Sequence, residues 1–340
     1  MIEPILLDTG SGGRATHRLI RNLFVRHFGN SILLAGNDAA LLPPLDRSLA
    51  VSTDSHTVHP LFFPGGDIGR LAVCGTVNDV AMLGARPLWL TAAFIIEEGL
   101  DYSVLENVVI SMAKTAKACD VAIVAGDTKV VPRGVCDQLF VTTTGLGEVL
   151  ADPPPAGDRA QAGDAVLISG PIGAHGLAVL GARSSLPFLS GIASDCGPVH
   201  HLVPALLEAV GASGALHVLR DPTRGGLATV LNEIAEQSGV LCLLDEAAIP
   251  VDEAVRGGCA VLGLDPLYLG NEGCLVCLVP EILVQNALDA LRCQGCLLAA
   301  RIGTILPEGE NAAMRVRLTT TLGGQRLLPM LEGDPLPRIC

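Results

Sequence analysis

The sequence predicts two α+β domains. Three observations carry this: a length beyond one core, strand-like and helical runs that mingle without strict alternation, and a proline-rich break between two such mixtures. At 340 residues the chain exceeds what a single compact core accommodates. Apolar residues make up 49% and aromatics only 3%, so both cores must be assembled from Leu, Val, Ile and Ala. Charged residues are 17%, below the usual quarter, and 39 glycines signal tight turns and close backbone approaches.

Residues 1–36 read as a leader bearing Gly10, Gly12 and Gly13, then a helix. Arg14, Arg18, Arg21 and Arg26 recur there at near-helical spacing beside Leu19, Ile20, Leu23 and Phe24, which describes a surface helix with an apolar underside. The first domain spans 37–150. Within it 48–53, 88–96, 121–125 and 137–148 read as strands, and 102–119 is helical through Leu105, Val108, Val109 and Met112. Asp152-Pro-Pro-Pro-Ala-Gly-Asp158 breaks regular structure and marks the boundary. The second domain, 158–306, has strand-like 164–169 and 274–279 and helical 199–210 and 226–237. This mixture favours α+β layers over a doubly wound sheet. From 307 to 340 the chain loosens, with Pro329, Pro335 and Pro337 before a final Cys340, and is expected to be an extended, mobile tail.

Bulk properties exclude several roles. A formal charge of −13 is wrong for wrapping a nucleic-acid backbone. No apolar run reaches the 18 or so residues of a membrane span. Glu3 and Asp8 without a basic start do not make a secretory signal. Eleven cysteines, an odd number scattered through apolar stretches, indicate reduced thiols and a cytoplasmic setting.

The informative constellation is acidic. Asp38, Asp54, Asp79 and Asp127 each follow an apolar strand or helix and abut small or hydroxylated residues. Carboxylates gathered at strand ends repel one another unless a cation joins them, and Mg²⁺ with a polyphosphate meets that need. Lys129, two residues after Asp127, supplies a charge for phosphate. Two glycine-led helices follow Asp67 and Asp221, at Gly69 and Gly225, and such starts admit an anion at the backbone N–H groups. No GxxxxGK[ST] is present, so this is not a P-loop protein. Asp8-Thr-Gly lacks the second such triplet an aspartic protease needs. Cys274/Cys277 and Cys293/Cys296 have zinc-ribbon spacing, but 274–279 reads as a strand, where positions three apart face opposite ways. The histidines at 175, 200, 201 and 217 lack ligand spacing and read as structural; His56 and His59, beside Asp54, draw slightly more interest.

Longer motifs then become identifiable. Thr53-Asp-Ser-His-Thr-Val-His-Pro-Leu-Phe-Phe-Pro-Gly-Gly-Asp-Ile-Gly69, Cys74-Gly-Thr-Val-Asn-Asp-Val-Ala-Met82, Ile95-Ile-Glu-Glu-Gly99, Gly126-Asp-Thr-Lys-Val-Val131, Asp221-Pro-Thr-Arg-Gly-Gly226, Asp265-Pro-Leu-Tyr268, Asn271-Glu-Gly273 and Pro337-Arg-Ile-Cys340 resemble the HypE family of hydrogenase maturation factors nearly end to end. The resemblance implies a two-domain fold of the PurM type, shared with aminoimidazole ribonucleotide synthetase, selenophosphate synthetase and thiamine-monophosphate kinase. Its N-terminal β-sheet domain forms a homodimer, and ATP with Mg²⁺ binds near the interface. It implies metal-site roles for Asp38, Asp54, Asp79, Asp127 and Asp221. Gly12, Gly13, Asp54, Asp67, Asp127, Thr128, Arg224 and Asn271 become candidates for the ATP or phosphate site. Cys340, Lys129, Glu272 and Asp79 become the catalytic candidates, with Lys129 and Glu272 for proton removal or positioning. Fold kinship alone does not choose the reaction; the terminal Pro-Arg-Ile-Cys does. It implies ATP-dependent dehydration of a carboxamide on Cys340 to a thiocyanate. A HypF-type carbamoyltransferase loads the thiol, and a HypC–HypD scaffold receives the cyanide for the iron. The rivals are a small-molecule synthetase or kinase of the same fold and an ATP-gated carrier, and removing Cys340 separates them.

Overall fold

The computed structural model describes residues 4–10, 13–35, 39–184, 186–211, 214–308, 315–333, 336 and 338–340; the sequence candidates Gly12 and Asp38 lie outside them. The chain opens with α1 (Arg14–Leu19), which runs through a π-helical stretch (Ile20–Val25) into α2 (Arg26–Phe28). Leu19, Leu23, Phe24 and Phe28 are its buried face, with the Phe24 ring 4.8 Å from Phe94. The arginines face outward, as the spacing anticipated.

The first domain contains β1 (Leu49–His56), β2 (Phe62–Phe63), β3 (Gly66–Asp67), α3 (Ile68–Ala81), β4 (Ala85–Glu97), α4 (Tyr102–Ala118), β5 (Ala122–Val131) and β6 (Leu139–Val149). Its four-stranded sheet has the order β1-β6-β4-β5, with β4 and β5 parallel and the other pairs antiparallel. The strand expected at 121–125 runs on to 131. Gly126-Asp-Thr-Lys129 is therefore inside an edge strand, which tolerates polar residues because one side of it lacks a partner.

Helix α3 lies on one face of this sheet. Nearly every residue of α3 is buried, because sheet, α4 and second domain enclose it. Thr143 Oγ1 donates to Ala72 O (2.9 Å) and meets Thr76 Oγ1 at 2.6 Å. A methyl on Gly145 would fall 2.8 Å from Thr76 Cγ2, so glycine there sets the close approach. The other sheet face is uncovered and carries Leu49, Val51 and Ile95 as exposed apolar side chains.

The second domain contains β7 (Asp164–Ile168), α5 (Ala174–Ser184), α6 (Leu202–Val210), β8 (Val218–Arg220), α7 (Gly226–Ser238), β9 (Leu241–Asp245), α8 (Glu253–Leu262), β10 (Val276–Pro280), α9 (Val284–Cys293), β11 (Ala300–Leu306), β12 (Val316–Thr319) and β13 (Gln325–Leu327). They form one sheet, β13-β12-β9-β11-β7-β10-β8, with an apolar cluster on each face. Cys274 belongs to one cluster and Cys277 to the other, so the sheet lies between the two thiols. Two strands come from beyond residue 306, where only a tail was expected. The buried alternation of Val316 and Leu318 is the period-2 signal that reading passed over.

The tail is also not free. Ile339 and Leu336 are buried, and the last residues pair with the stretch after β1. A mobile tail was inferred from its prolines, which block regular structure but do not prevent docking.

Candidate active site

One group of acids forms where α3, the inner face of β1 and two loops of the second domain converge. Strand alternation places Ser52, Asp54 and His56 on the face toward α3. Ser52 Oγ donates to Asp79 Oδ2 at 2.8 Å. A methyl on Gly75 would lie 3.1 Å from His56 Cε1, 3.6 Å from Asp54 Oδ2 and 3.9 Å from Glu272 Oε2, so three side chains meet over one turn of α3. Arg224 Nη2 stands 3.9 Å from Asp54 Oδ1. The loop 194–199 fastens the two domains here. Arg70 Nε donates to Cys196 O, Asn78 brackets Gly197 O and Val199 N, and Asp195 accepts the Glu272 and Gly273 N–H groups.

Burial dominates the electrostatics of these carboxylates, and the nearby Arg220 and Arg224 offset it only in part. Burial, then the nearby Asp79, pushes Asp221 up to about 7, and its Oδ2 is shut from solvent without a hydrogen-bond partner. Burial raises Asp79 as well; the Ser52 hydrogen bond opposes this and Asp54 adds to it. Burial, then Cys196, Asp221, Asp195 and Asp54, lifts Glu272 well above the carboxylate range. Burial lowers His56 to about 4 against the opposing charge of Asp54; neither ring nitrogen has a hydrogen-bond partner, and Nε2 stands 3.9 Å from Asp54 Oδ2. An all-oxygen donor set of this kind, with an orphaned buried oxygen, fits a hard divalent cation such as Mg²⁺. Asp54, Asp79 and Asp221 lie nearest to such a position, but among the described residues no three Asp, Glu, His or Cys side chains stand close enough together to hold an ion unaided.

The other sequence candidates divide. Asp127, Thr128 and Lys129 lie on β5, the opposite edge from β1. Three strand spacings, roughly 14 Å, separate the register position of Asp127 from that of Ser55. Asp127 and Lys129 pair with each other at 3.3 Å, largely exposed, and the leader's Gly10 packs against Val130. Gly13, at the start of α1, belongs to this leader side. The candidates therefore fall into two separate groups in one chain, one at β1 and α3 and one on β5. Asp67 is in neither: its Oδ1 accepts Gly69 N–H and Arg70 N–H, capping α3, and its Oδ2 accepts the Ser111 hydroxyl. The expectation of a phosphate at that helix start is corrected, because a carboxylate already fills it. Asn271 is a buried brace. It donates to Pro222 O and Leu269 O and accepts Gly173 N–H, so its amide is committed to backbone.

Cys340 borders a cavity of 360 Å³ whose wall includes Ser55, Thr57, Arg224, Tyr268 and Gly270. Arg224 thus touches both the cavity and Asp54. Sequence reasoning missed the groups that hold the tail there. His175, read as structural or surface, bonds Ile339 O at 2.7 Å, and Arg183 donates to Arg338 O at 2.6 Å. Neither has a local sequence signal, since the contacts span more than 150 positions.

Residues 36–149 match the family model of the AIR synthase related protein N-terminal domain, and 161–315 that of its C-terminal domain. The chain is 50% identical over 335 residues to the carbamoyl dehydratase HypE of Cupriavidus necator, covering 97% of this chain and 93% of the relative. It is 43% identical over 353 residues to that of Escherichia coli, covering all of both. A crystal structure of hydrogenase maturation protein HypE in complex with ATP superposes with a TM-score of 0.94 at 58% identity, covering 98% of this chain and 99% of that one. A HypE–HypF complex structure matches at 0.79 and 44% identity, over 92% and 99%. Thiamine-monophosphate kinase from Stenotrophomonas maltophilia, at 23% identity and 0.64 over 94% and 98% of the two chains, shares the fold.

Proposed function

We infer the activity of this chain from its membership: it belongs to the AIR synthase related proteins and, within them, to the carbamoyl dehydratase HypE family. Its activity is ATP-dependent carbamoyl dehydration in hydrogenase maturation. Cys340 carries the substrate. The observation that supports this assignment is the seating of the chain's last residue at a cavity it shares with Arg224, which reaches Asp54.

The chemistry follows from what a carboxamide lacks, namely a leaving group. A HypF-type carbamoyltransferase places a carbamoyl group on the Cys340 sulfur. The amide oxygen attacks the γ-phosphorus of ATP, ADP leaves, and the amide becomes an O-phosphorylated imidate. Loss of the N–H proton then expels phosphate and forms the C≡N bond, leaving thiocyanate on Cys340. Asp54, Asp79 and Asp221 would hold Mg²⁺ together with the phosphates of ATP, and the ion would offset the charge of the transferring phosphate. Arg224 reaches the same oxygens from the cavity side. Glu272, buried with a raised carboxyl, is suited to take the imidate proton once ionised. Burial also excludes water, which would hydrolyse the imidate back to the amide. The cyanide then passes to the iron of a HypC–HypD scaffold. The ten cysteines other than Cys340 form no disulfide, which suits the reducing cytoplasm. Among the described residues no helix is long and apolar enough to cross a membrane.

The active assembly is a homodimer. Leu49, Val51 and Ile95 on the uncovered sheet face give a second copy an apolar surface to cover. Asp127 and Lys129 share that face and would lie at the dimer seam; their joining to the Asp79 group of the second copy is what mixing of variants tests. A small-molecule kinase of this fold has no use for a terminal thiol.

The oxygen balance tests the chemistry. With the carboxamide oxygen isotopically labelled, the label is expected in the released inorganic phosphate. Label appearing in water, with unlabelled phosphate, would exclude phosphorylation of the amide.

A further inference from the structure

Glu272 sits on a segment whose backbone is gripped from both sides. Asp195 Oδ1 accepts the Glu272 N–H at 3.1 Å and its Oδ2 accepts the Gly273 N–H at 3.0 Å, while Glu272 O accepts the Gly197 N–H at 3.1 Å. One residue earlier, Asn271 ties the same segment to Gly173, Pro222 and Leu269. With its N–H, its carbonyl and both neighbours fixed, the Glu272 backbone has little freedom. Its side chain is thereby aimed at one place, where a methyl on Gly75 would lie 3.9 Å from Oε2.

The grip comes from loop 194–199, which is itself moored to the first domain. Ser194 N–H donates to Pro64 O at 2.8 Å, Arg70 Nε to Cys196 O at 2.7 Å and Asn78 Nδ2 to Gly197 O at 3.1 Å. Arg70 and Asn78 belong to α3 and lie on either side of Gly75 in sequence. So α3 sets the loop, the loop sets the backbone of Glu272, and the Glu272 carboxyl returns to α3. Burial pushes Asp195 up to about 6, against the pull of its backbone donors, so near neutral pH it is ionised and each oxygen takes a donor. Gly273 is part of the fit: a Cβ there would stand 1.9 Å from Asp195 O, and any side chain would push the loop away.

We propose that Asp195 is a positioning residue for dehydration, which holds the Glu272 carboxylate on the imidate N–H by fixing its backbone. The role rests on Glu272 being the proton acceptor. In the productive step the N–H proton passes to Glu272, the N–H electron pair becomes the new C–N bond, and the C–O bond breaks with its electrons leaving on phosphate. In the competing step a water oxygen bonds to the imidate carbon and the same C–O bond breaks. The carboxamide returns, with one ATP consumed and no nitrile made. Misplacing the acceptor by about 1 Å slows the productive step by up to about a hundredfold. It leaves the water reaction untouched, so ATP consumption comes loose from product.

The test is phosphate released per nitrile formed, measured on full-length protein with carbamoyl donor, transferase and ATP. Wild type should release about one phosphate per nitrile, and Asp195→Asn about tenfold more. Asn offers one oxygen where two donors wait and turns an N–H toward the other. Asp195→Ala, which leaves both donors unpaired, should raise the ratio further. The ratio does not depend on how much of a variant folds, so partial unfolding leaves the reading intact. Glu272→Gln is the reference and should match or exceed Asp195→Ala. A raised ratio for Glu272→Gln beside a ratio of about one for both Asp195 variants overturns the positioning role alone, since a merely structural residue lowers phosphate and nitrile together. An unraised ratio for Glu272→Gln overturns Glu272 as the acceptor, and the role of Asp195 with it.

Discussion

Cys340→Ala is expected to abolish nitrile formation while costing no more than about 1 kcal/mol of stability. The tail's anchors make this separation sharp. Thr57, His59, His175 and Arg183 bond main-chain oxygens of residues 338–340, and Ala keeps all of those. Only a half-buried thiol is lost. Seven of the other ten thiols, Cys74, Cys119, Cys196, Cys242, Cys259, Cys274 and Cys277, are buried, and Cys136, Cys293 and Cys296 do not line the cavity that Cys340 borders. The variant is measured by cyanide release with the carbamoyl donor, transferase and ATP present, beside a thermal melt. Retained product would assign the chain to small-molecule chemistry. A large fall in melting temperature would instead show the thiol to be a packing residue.

The second large effect concerns the two groups of site residues. Asp79→Asn and Asp127→Asn should each lower ATP turnover by about a thousandfold or more, the scale expected when charge that positions a metal–phosphate group is removed. Asp79→Asn should keep or gain stability in metal-free protein, because it removes one member of a repelling buried group. The pH dependence has the same origin. Asp221 titrates near 7 when folded and near the ordinary carboxylate value unfolded. Its raised value favours the fold at low pH, and that contribution is lost as pH rises from about 4 through 7. Asp221→Asn should flatten that decline in thermal melts. Whether the two groups make one site across a dimer is tested by mixing. If a dimer joins Asp79 of one copy to Asp127 of the other, co-refolded Asp79→Asn and Asp127→Asn chains recover about a quarter of wild-type turnover. Half of random dimers are mixed, and each of those keeps one intact site. No recovery would mean that the two residues serve one chain's site or unrelated sites.

Much of this was legible from local pattern. The amphipathic helix before Phe28 and the strand alternation of β6 follow from side-chain period. Of the four acids grouped from the sequence, the structure brings Asp54 and Asp79 together, sets Asp127 on the far edge strand and leaves Asp38 outside the described residues. What escaped were quantities fixed only in three dimensions. That Asp67 caps α3, and that Asn271 spends its amide on Pro222, Leu269 and Gly173, depends on which backbone ends come near. The distance between Asp54 and Asp127 depends on strand order, β1-β6-β4-β5, which no local spacing encodes. His175 looked like an isolated histidine, and only the docked tail gives its ring a partner. The strands β12 and β13 were missed for a different reason: prolines and glycines around them drew the reading toward a loose tail.

The most direct measurement of the central claim is the intact mass of wild-type protein, taken before and after ATP, with fragmentation to locate the change. Carbamoyl donor and transferase should add one carbamoyl group at Cys340. ATP with Mg²⁺ should then remove the mass of one water from that same residue, and omission of ATP should leave the carboxamide intact. Loss of the whole carbamoyl group, a water loss located elsewhere, or no ATP-dependent change would contradict dehydration on Cys340.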